Sequence, residues 1–193
     1  MALILDGTTG VPVTTVTGTL PVANGGSGVT TSTGTGANVL GTSPTITGAT
    51  ITVAATAAPA FSAYSNANQT ISFIVFTKVL LQLEEFDTNS NFDNTTNYRF
   101  TPTVAGYYQT TGSLGFTSPQ SVEVIVSLFK NGSEFKRVAD SVGPIGITGS
   151  ALIYCNGSTD YLEMYAYSAS AGTRVVQAGS QYTYFQAVMV RSA

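Results

Sequence analysis

Asp87, Asn89, Asn91 and Asp93 occupy alternate positions, the spacing with which an EF-hand loop surrounds calcium. Such a loop also requires glycine at its sixth position and glutamate at its twelfth. Here those places hold Phe92 and Tyr98, so a polar loop folded by side-chain turns is the expectation. Ser127 and Lys130 repeat the Ser-x-x-Lys of penicillin-recognising enzymes, but the Ser-Asp-Asn and Lys-Thr-Gly partners are missing. Glu84, Glu85 and Asp87 have the chemistry of a glycosidase acid and base. Nothing in the sequence sets their separation, and they read as a solvated cluster closing a strand. There is no phosphate loop, dinucleotide fingerprint or Gly-x-Ser-x-Gly elbow.

The missing residue types exclude more. With no histidine, there is no Ser-His-Asp triad and no imidazole metal ligand. The single cysteine, Cys155, excludes an intrachain disulfide and a multi-cysteine zinc site, and it reads as a small buried hydrophobe. Asn131-Gly132-Ser133 and Asn156-Gly157-Ser158 match the glycosylation sequon, but without a secretory signal they read as turns. The expectation is a protein that is not an enzyme and has no cofactor.

Only 9% of the 193 residues are charged, against roughly 25% in an ordinary soluble domain. Since 43% are hydrophobic, a sizeable core is available and the neutral surface falls to Thr, Ser, Asn, Gly or other copies of the chain. A formal net charge of -3, with Lys136-Arg137 the only adjacent basic pair, speaks against a nucleic-acid partner. The most apolar stretch, Ile71 to Leu83, is broken by Thr77, Lys78 and Gln82 and is shorter than the ~20 residues of a bilayer span. No membrane insertion is expected.

Two segments differ in chemistry. Residues 1–60 contain no aromatic residue and one charge, Asp6, but ten glycines and sixteen threonines. They cannot build a compact core alone. Alternating runs such as Thr45-Ile46-Thr47 and Thr50-Ile51-Thr52 favour extended chain. Both a flexible linker and a slender stalk shared between copies fit. Residues 61–193 hold all 20 aromatic residues and read as one all-β domain of short apolar runs between turn signals. The pattern predicts strands at 71–76, 79–84, 98–100, 106–116, 122–129, 134–139, 147–154, 161–167 and 182–190.

The strand 122–129 is apolar on both faces, with Val124 on one and Ile125 and Phe129 on the other. The strand 161–167 places Tyr161, Tyr165 and Tyr167 opposite Leu162, Met164 and Ala166. A two-layer sandwich normally leaves one face wet. Val124, Ile125, Phe129, Tyr161, Tyr165, Tyr167 and Tyr184 are therefore candidates for a subunit interface or for core faces, the alternative being an ordinary tyrosine-bearing surface.

Phe86-Asp87-Thr88-Asn89-Ser90-Asn91-Phe92-Asp93, Tyr98-Arg99-Phe100-Thr101-Pro102, Ala105-Gly106-Tyr107-Tyr108, Val126-Ser127-Leu128-Phe129-Lys130-Asn131-Gly132, the segment from Gly157 to Tyr165 and Tyr184-Phe185-Gln186-Ala187 together resemble the globular head of complement component C-one-q. The resemblance implies a tumour-necrosis-factor-like jelly roll, β-sandwich in architecture, that forms a homotrimer. It also admits calcium, without placing it. Gly18-Thr19-Leu20-Pro21-Val22-Ala23-Asn24-Gly25-Gly26-Ser27-Gly28 is similar to the stalk repeats of bacteriophage fibre proteins. Met1-Ala2-Leu3-Ile4-Leu5-Asp6-Gly7 is similar to the start of phage virion proteins that dock by their N-termini. No collagen repeat precedes the head-like part.

The resulting expectation is a virion fibre. Residues 1–60 would form an anchor and extended stalk, with Leu3, Ile4 and Leu5 contacting another virion protein, and residues 61–193 would form the head. Loops carrying Asn89, Asn91, Asn94, Asn97 and Gln120 are candidates for contact with a host surface glycan or protein. The stretches 118–121 and 141–149 belong to the same class. A capsid decoration or cement protein is the alternative.

Overall fold

The structure, a computed structural model, describes residues 58–118, 121–172 and 174–193. Every regular element among them is a β-strand. Five strands form one antiparallel sheet in the order β10 (Gly146–Asn156), β7 (Ala105–Gly115), β13 (Tyr184–Ser192), β1 (Ala60–Tyr64) and β4 (Leu83–Asp87). A second sheet runs β5 (Phe92–Asp93), β6 (Arg99–Phe100), β11 (Leu162–Ser168), β8 (Glu123–Lys130) and β9 (Ser133–Val142), and β3 (Thr77–Lys78) also pairs with β11. β2 (Gln69–Ile71) and β12 (Arg174–Val176) make a short ribbon. The expected jelly-roll sandwich is the fold that forms. The anchor residues Leu3, Ile4 and Leu5, the stalk, and Gln120 lie outside the described residues.

Alternation along each strand sends one set of side chains between the sheets. Tyr108, Leu114, Ile153 and Phe185 from one sheet meet Val126, Leu128, Leu162 and Met164 from the other, all buried. Each such burial stabilises the fold by about 1.5–3 kcal/mol. Four phenylalanines bridge the layers. The Phe61 ring stacks on Phe92 at 4.7 Å and on Phe100 at 4.5 Å, and meets Phe185 edge-on at 5.0 Å. Tyr108 packs edge-on against Phe100 and donates its hydroxyl to the Val104 carbonyl at 2.6 Å. Burial, with the adjacent Cys155, pushes that phenol up to about 12.

β9 and β10 approach most closely at Gly149, where a Cβ would overlap the Val138 carbonyl. Because backbone rather than a pliable side chain stands in the way, Gly149→Ala is expected to cost at least the roughly 1–3 kcal/mol of overpacking. Urea unfolding of the full chain measures it. A loss under about 0.5 kcal/mol would show that the two strands part easily.

Several strand boundaries differ from the sequence reading. The stretch 71–76 ends its strand at Ile71 and becomes a turn, in which Ile74 has φ 56°. In 79–84, Val79 and Leu81 are buried but irregular, held by Val79 N–H to the Met164 carbonyl and Leu80 N–H to the Gln69 side chain. β1 was not expected as a strand, yet it sits between β13 and β4. Its composition, Ala-Phe-Ser-Ala-Tyr, sets two β-favouring aromatics among Ala and Ser, and tertiary pairing decides the outcome. Asn131 and Gly132, at φ 54° and 80°, make the expected two-residue hairpin. Asn156-Gly157 instead opens a wider turn, in which the Asn156 side-chain Oδ1 accepts the amides of Ser158, Thr159 and Asp160.

The registers give the sandwich two distinct ends. β1 runs toward its pairing with the start of β13, Tyr64 opposite Tyr184, so the chain arrives from the opposite end. That near end also holds the Asn89–Asn97 loop, the 131–132 hairpin and the 156–161 turn. The far end gathers the connections at 65–68, 72–76, 116–118, 121–122, 143–145, 169–172 and 177–183.

Candidate functional site

The outward face of the five-stranded sheet carries exposed Phe86, Tyr107, Leu152, Tyr154, Val188 and Val190. Register places them together. Leu152 and Val188 flank Gln109 from either side, and Ala60 lies opposite Val188. One row nearer the chain's arrival, Tyr154 pairs with Tyr107, their rings 5.5 Å apart. The next rows are neutral: Ser150, Thr111, Gln186 and Ser62, then Thr148, Ser113, Tyr184 and Tyr64. Charge is confined to the margins. Arg191 stands at the near end, and Glu85 on β4 accepts the Ser62 hydroxyl at 2.8 Å.

Two open hollows indent this face. One, of about 610 Å³, is lined by Tyr107, Leu152, Val190, Arg191, Ser192 and Ala193. The other, of about 290 Å³, is lined by Ala60, Phe86, Gln109, Gln186 and Val188 among others. A contiguous, charge-poor apolar face with shallow relief has the character of an assembly surface rather than a catalytic cleft.

The second faces singled out in the sequence belong to the other sheet, and the chain covers them itself. Val124 points into the core and Ile125 is 1% exposed. Phe129 stacks on Tyr165 at 3.9 Å. The turn after β2 then lays Phe76 against Phe129 at 5.4 Å and Tyr167 at 5.2 Å, under the Arg137 guanidinium. Tyr161 lies beneath Arg99, 4.4 Å from ring centroid to guanidinium. Of the seven candidates, only Tyr184 stands on the outward side of the five-stranded sheet, in one of its neutral rows, while Val124 and Ile125 belong to intrachain packing. The same two-face inspection applied to β13 would have found Val188 and Val190 behind Phe185, Ala187 and Met189.

The acidic loop folds itself. Asp87 accepts the amides of Asn89 and Phe92, at 3.2 and 2.7 Å. Asp93 accepts those of Thr95, Thr96 and Asn97 and the Asn97 side chain. Asn91 is buried, its amide group exchanging hydrogen bonds with Thr103, so it shapes the loop. Asn89, Asn94 and Asn97 are partly buried beside it. No three acidic, cysteine or histidine side chains converge as a cation site among the described residues.

The backbone amide of Thr96, with those of Thr95 and the Asn97 side chain, holds the Asp93 carboxyl well below the usual carboxylate range. A depressed folded pKa contributes stability above the unfolded pKa of about 3.9 and loses it as the pH falls further. The melting temperature should therefore drop with pH below about 4, and Asp93→Asn should flatten that acid limb. An unchanged pH profile in the variant would remove Asp93 from the account. The remaining motifs separate. Ser127 is buried and donates to the Lys136 carbonyl and Glu134, while Lys130 pairs with Asp160 at 2.8 Å. Burial pushes the Cys155 thiol up to about 11, the state of an inert packing residue.

No known family's sequence profile matches the chain, nor does any curated protein sequence. Solved structures match the fold. The globular domain of zebrafish complement 1qA protein superposes with a TM-score of 0.51 at 15% identity, over 70% of this chain and 99% of its own. Vertex protein P5 of phage PRD1 gives 0.53 at 17% identity, over 69% of this chain and 98% of its own. Eiger TNF from S. frugiperda gives 0.53 at 12%, over 70% and 95%. The described domain thus has the jelly-roll fold of complement heads, tumour necrosis factors and a phage vertex protein.

Proposed function

We propose that a protein with this fold and this face is a structural component of a bacteriophage virion, a homotrimeric fibre whose jelly-roll head contacts the host surface. The single observation that carries the reading is the uncharged apolar face on β10, β7, β13 and β1, left open among the described residues. Three copies packed on that face would bury the side chains of Tyr107, Leu152, Tyr154 and Val188, at a gain of about 25 cal/mol per Å² of apolar surface. In this reading residues 1–60 supply the stalk, and Leu3, Ile4 and Leu5 dock on another virion protein. The head does no chemistry. Three copies on one fibre raise avidity without any new contact.

The likeness to a phage vertex protein supports a place on the particle, and the absence of a catalytic constellation in the sequence supports a binding rather than an enzymatic task. Gold-labelled antibody on intact virions, together with competition by purified protein, tests the reading. Label on fibres and blocked infection are expected. Label spread over the capsid with no blocking would replace attachment by the decoration role.

A further inference from the structure

Most of the exposed apolar residues fall in two places, and the second is not the assembly face. Phe73, Ile74, Val75, Val142, Ile145 and Tyr182 all stand exposed at the far end of the sandwich. Val142 is 69% exposed and Ile145 60%. None of the connections at that end contains a charged residue. The nearest charges, Glu123, Asp140 and Arg174, lie within the adjoining strands. The near end is the reverse, holding Asp87, Asp93, Arg99, Lys130, Asp160 and Arg191.

Ile74 adds a second observation. A β-branched residue at φ 56° is a steric outlier, of a kind that costs about 1–3 kcal/mol. Its amide is tied to the Ser168 carbonyl at 2.8 Å, which fixes the tip with Phe73, Ile74 and Val75 facing water. Strain and apolar exposure coincide where the fold gains nothing from either.

We infer that the far end, built around Phe73, Ile74, Val75 and Ile145, is the receptor-contact surface, and that its partner is a protein presenting an apolar, uncharged patch. This rests on the fibre reading, and the described chain enters β1 at the near end, so that the far end lies opposite that entry. It moves the contact away from the Asn89–Asn97 loop, which lies beside the arriving chain. The chemistry selects the partner class. Sugars stack on aromatic rings, and four of these six side chains are aliphatic. Lipid-inserting loops rely on cations to hold anionic headgroups, and the connections at this end carry none. An uncharged patch is matched by an uncharged patch, since a charged partner would be desolvated without compensation.

The test uses labelled full-chain protein and intact cells of the bacterium that the virion infects. Wild type should bind, with affinity nearly unchanged between about 50 and 500 mM salt, where screening lengths fall severalfold. Protease treatment of the cells should abolish binding, and periodate should not. Ile74→Asp with Ile145→Asp should weaken binding at least about tenfold at unchanged solution mass and melting temperature. Full binding by the double variant would place the contact elsewhere and leave the fibre reading standing. Loss on periodate treatment, or binding to protein-free phosphatidylethanolamine–phosphatidylglycerol vesicles, would overturn the protein partner in favour of glycan or lipid. Wild type that does not bind cells at all would overturn the attachment reading and this inference together.

Discussion

Leu152→Asp combined with Val188→Asp is expected to convert the proposed trimer into a folded monomer. The two residues flank Gln109 on the outward face and are 53% and 45% exposed in the single chain. Folding alone therefore does not require them, and mid-strand aspartate should cost the isolated domain only about 1 kcal/mol in strand propensity. In a trimer the same change places six carboxylates in an apolar interface in which Arg191 stands at the margin. Each carries an effective penalty of several kcal/mol, more than enough to dissociate the assembly at micromolar concentration. Phe135→Asp is the matched control. Phe135 is similarly exposed but lies on β9 of the other sheet, and its loss should leave the mass unaltered. Light scattering reads all three, with circular dichroism to confirm that the monomer is folded.

Phe61→Ala should be the most destabilising single truncation of the core, at about 3–5 kcal/mol. Phe61 contacts Phe92 and Phe100 on one sheet and Phe185 on its own, so its removal opens a cavity between two layers that cannot close without moving whole strands. Domain stabilities are commonly 5–15 kcal/mol, and much of that would be lost. Phe61→Leu, which keeps most of the volume, should lose less than half as much. Urea unfolding of the full-length variants tests the point, and a Phe61→Ala loss under about 1 kcal/mol would mean that the aromatic bridge is not the core's centre.

The all-β class, the sandwich and the Asn131-Gly132 hairpin were legible in the sequence because period-two alternation and turn chemistry are local signals. β1 was not. Its β-favouring residues, Phe61 and Tyr64, are set among Ala and Ser, and its place depends on β13, more than a hundred residues later. The turn at 72–76 misled for the converse reason. Phe73, Ile74 and Val75 have the composition of a buried strand, yet their backbone is held open at Ile74.

The assembly face shows the same limit. Two apolar faces on β8 and β11 were visible in the alternation, but only the folded chain shows that Phe76 returns to cover Phe129 and Tyr167. Apolar residues on β10 and β13 stay uncovered instead. Sequence periodicity identifies a second apolar face, and tertiary topology decides which one remains open. The aspartates at 87 and 93 resemble cation ligands by spacing, and their orientation toward neighbouring amides was equally out of reach.

The solution mass of the full-length chain, measured by light scattering at micromolar concentration, bears most directly on the central claim. Three copies of the 20.0 kDa chain moving as one particle, reduced to one copy by Leu152→Asp with Val188→Asp, is the predicted result. A wild-type chain that is folded and monomeric would contradict it, leaving the apolar sheet face without the partner proposed for it.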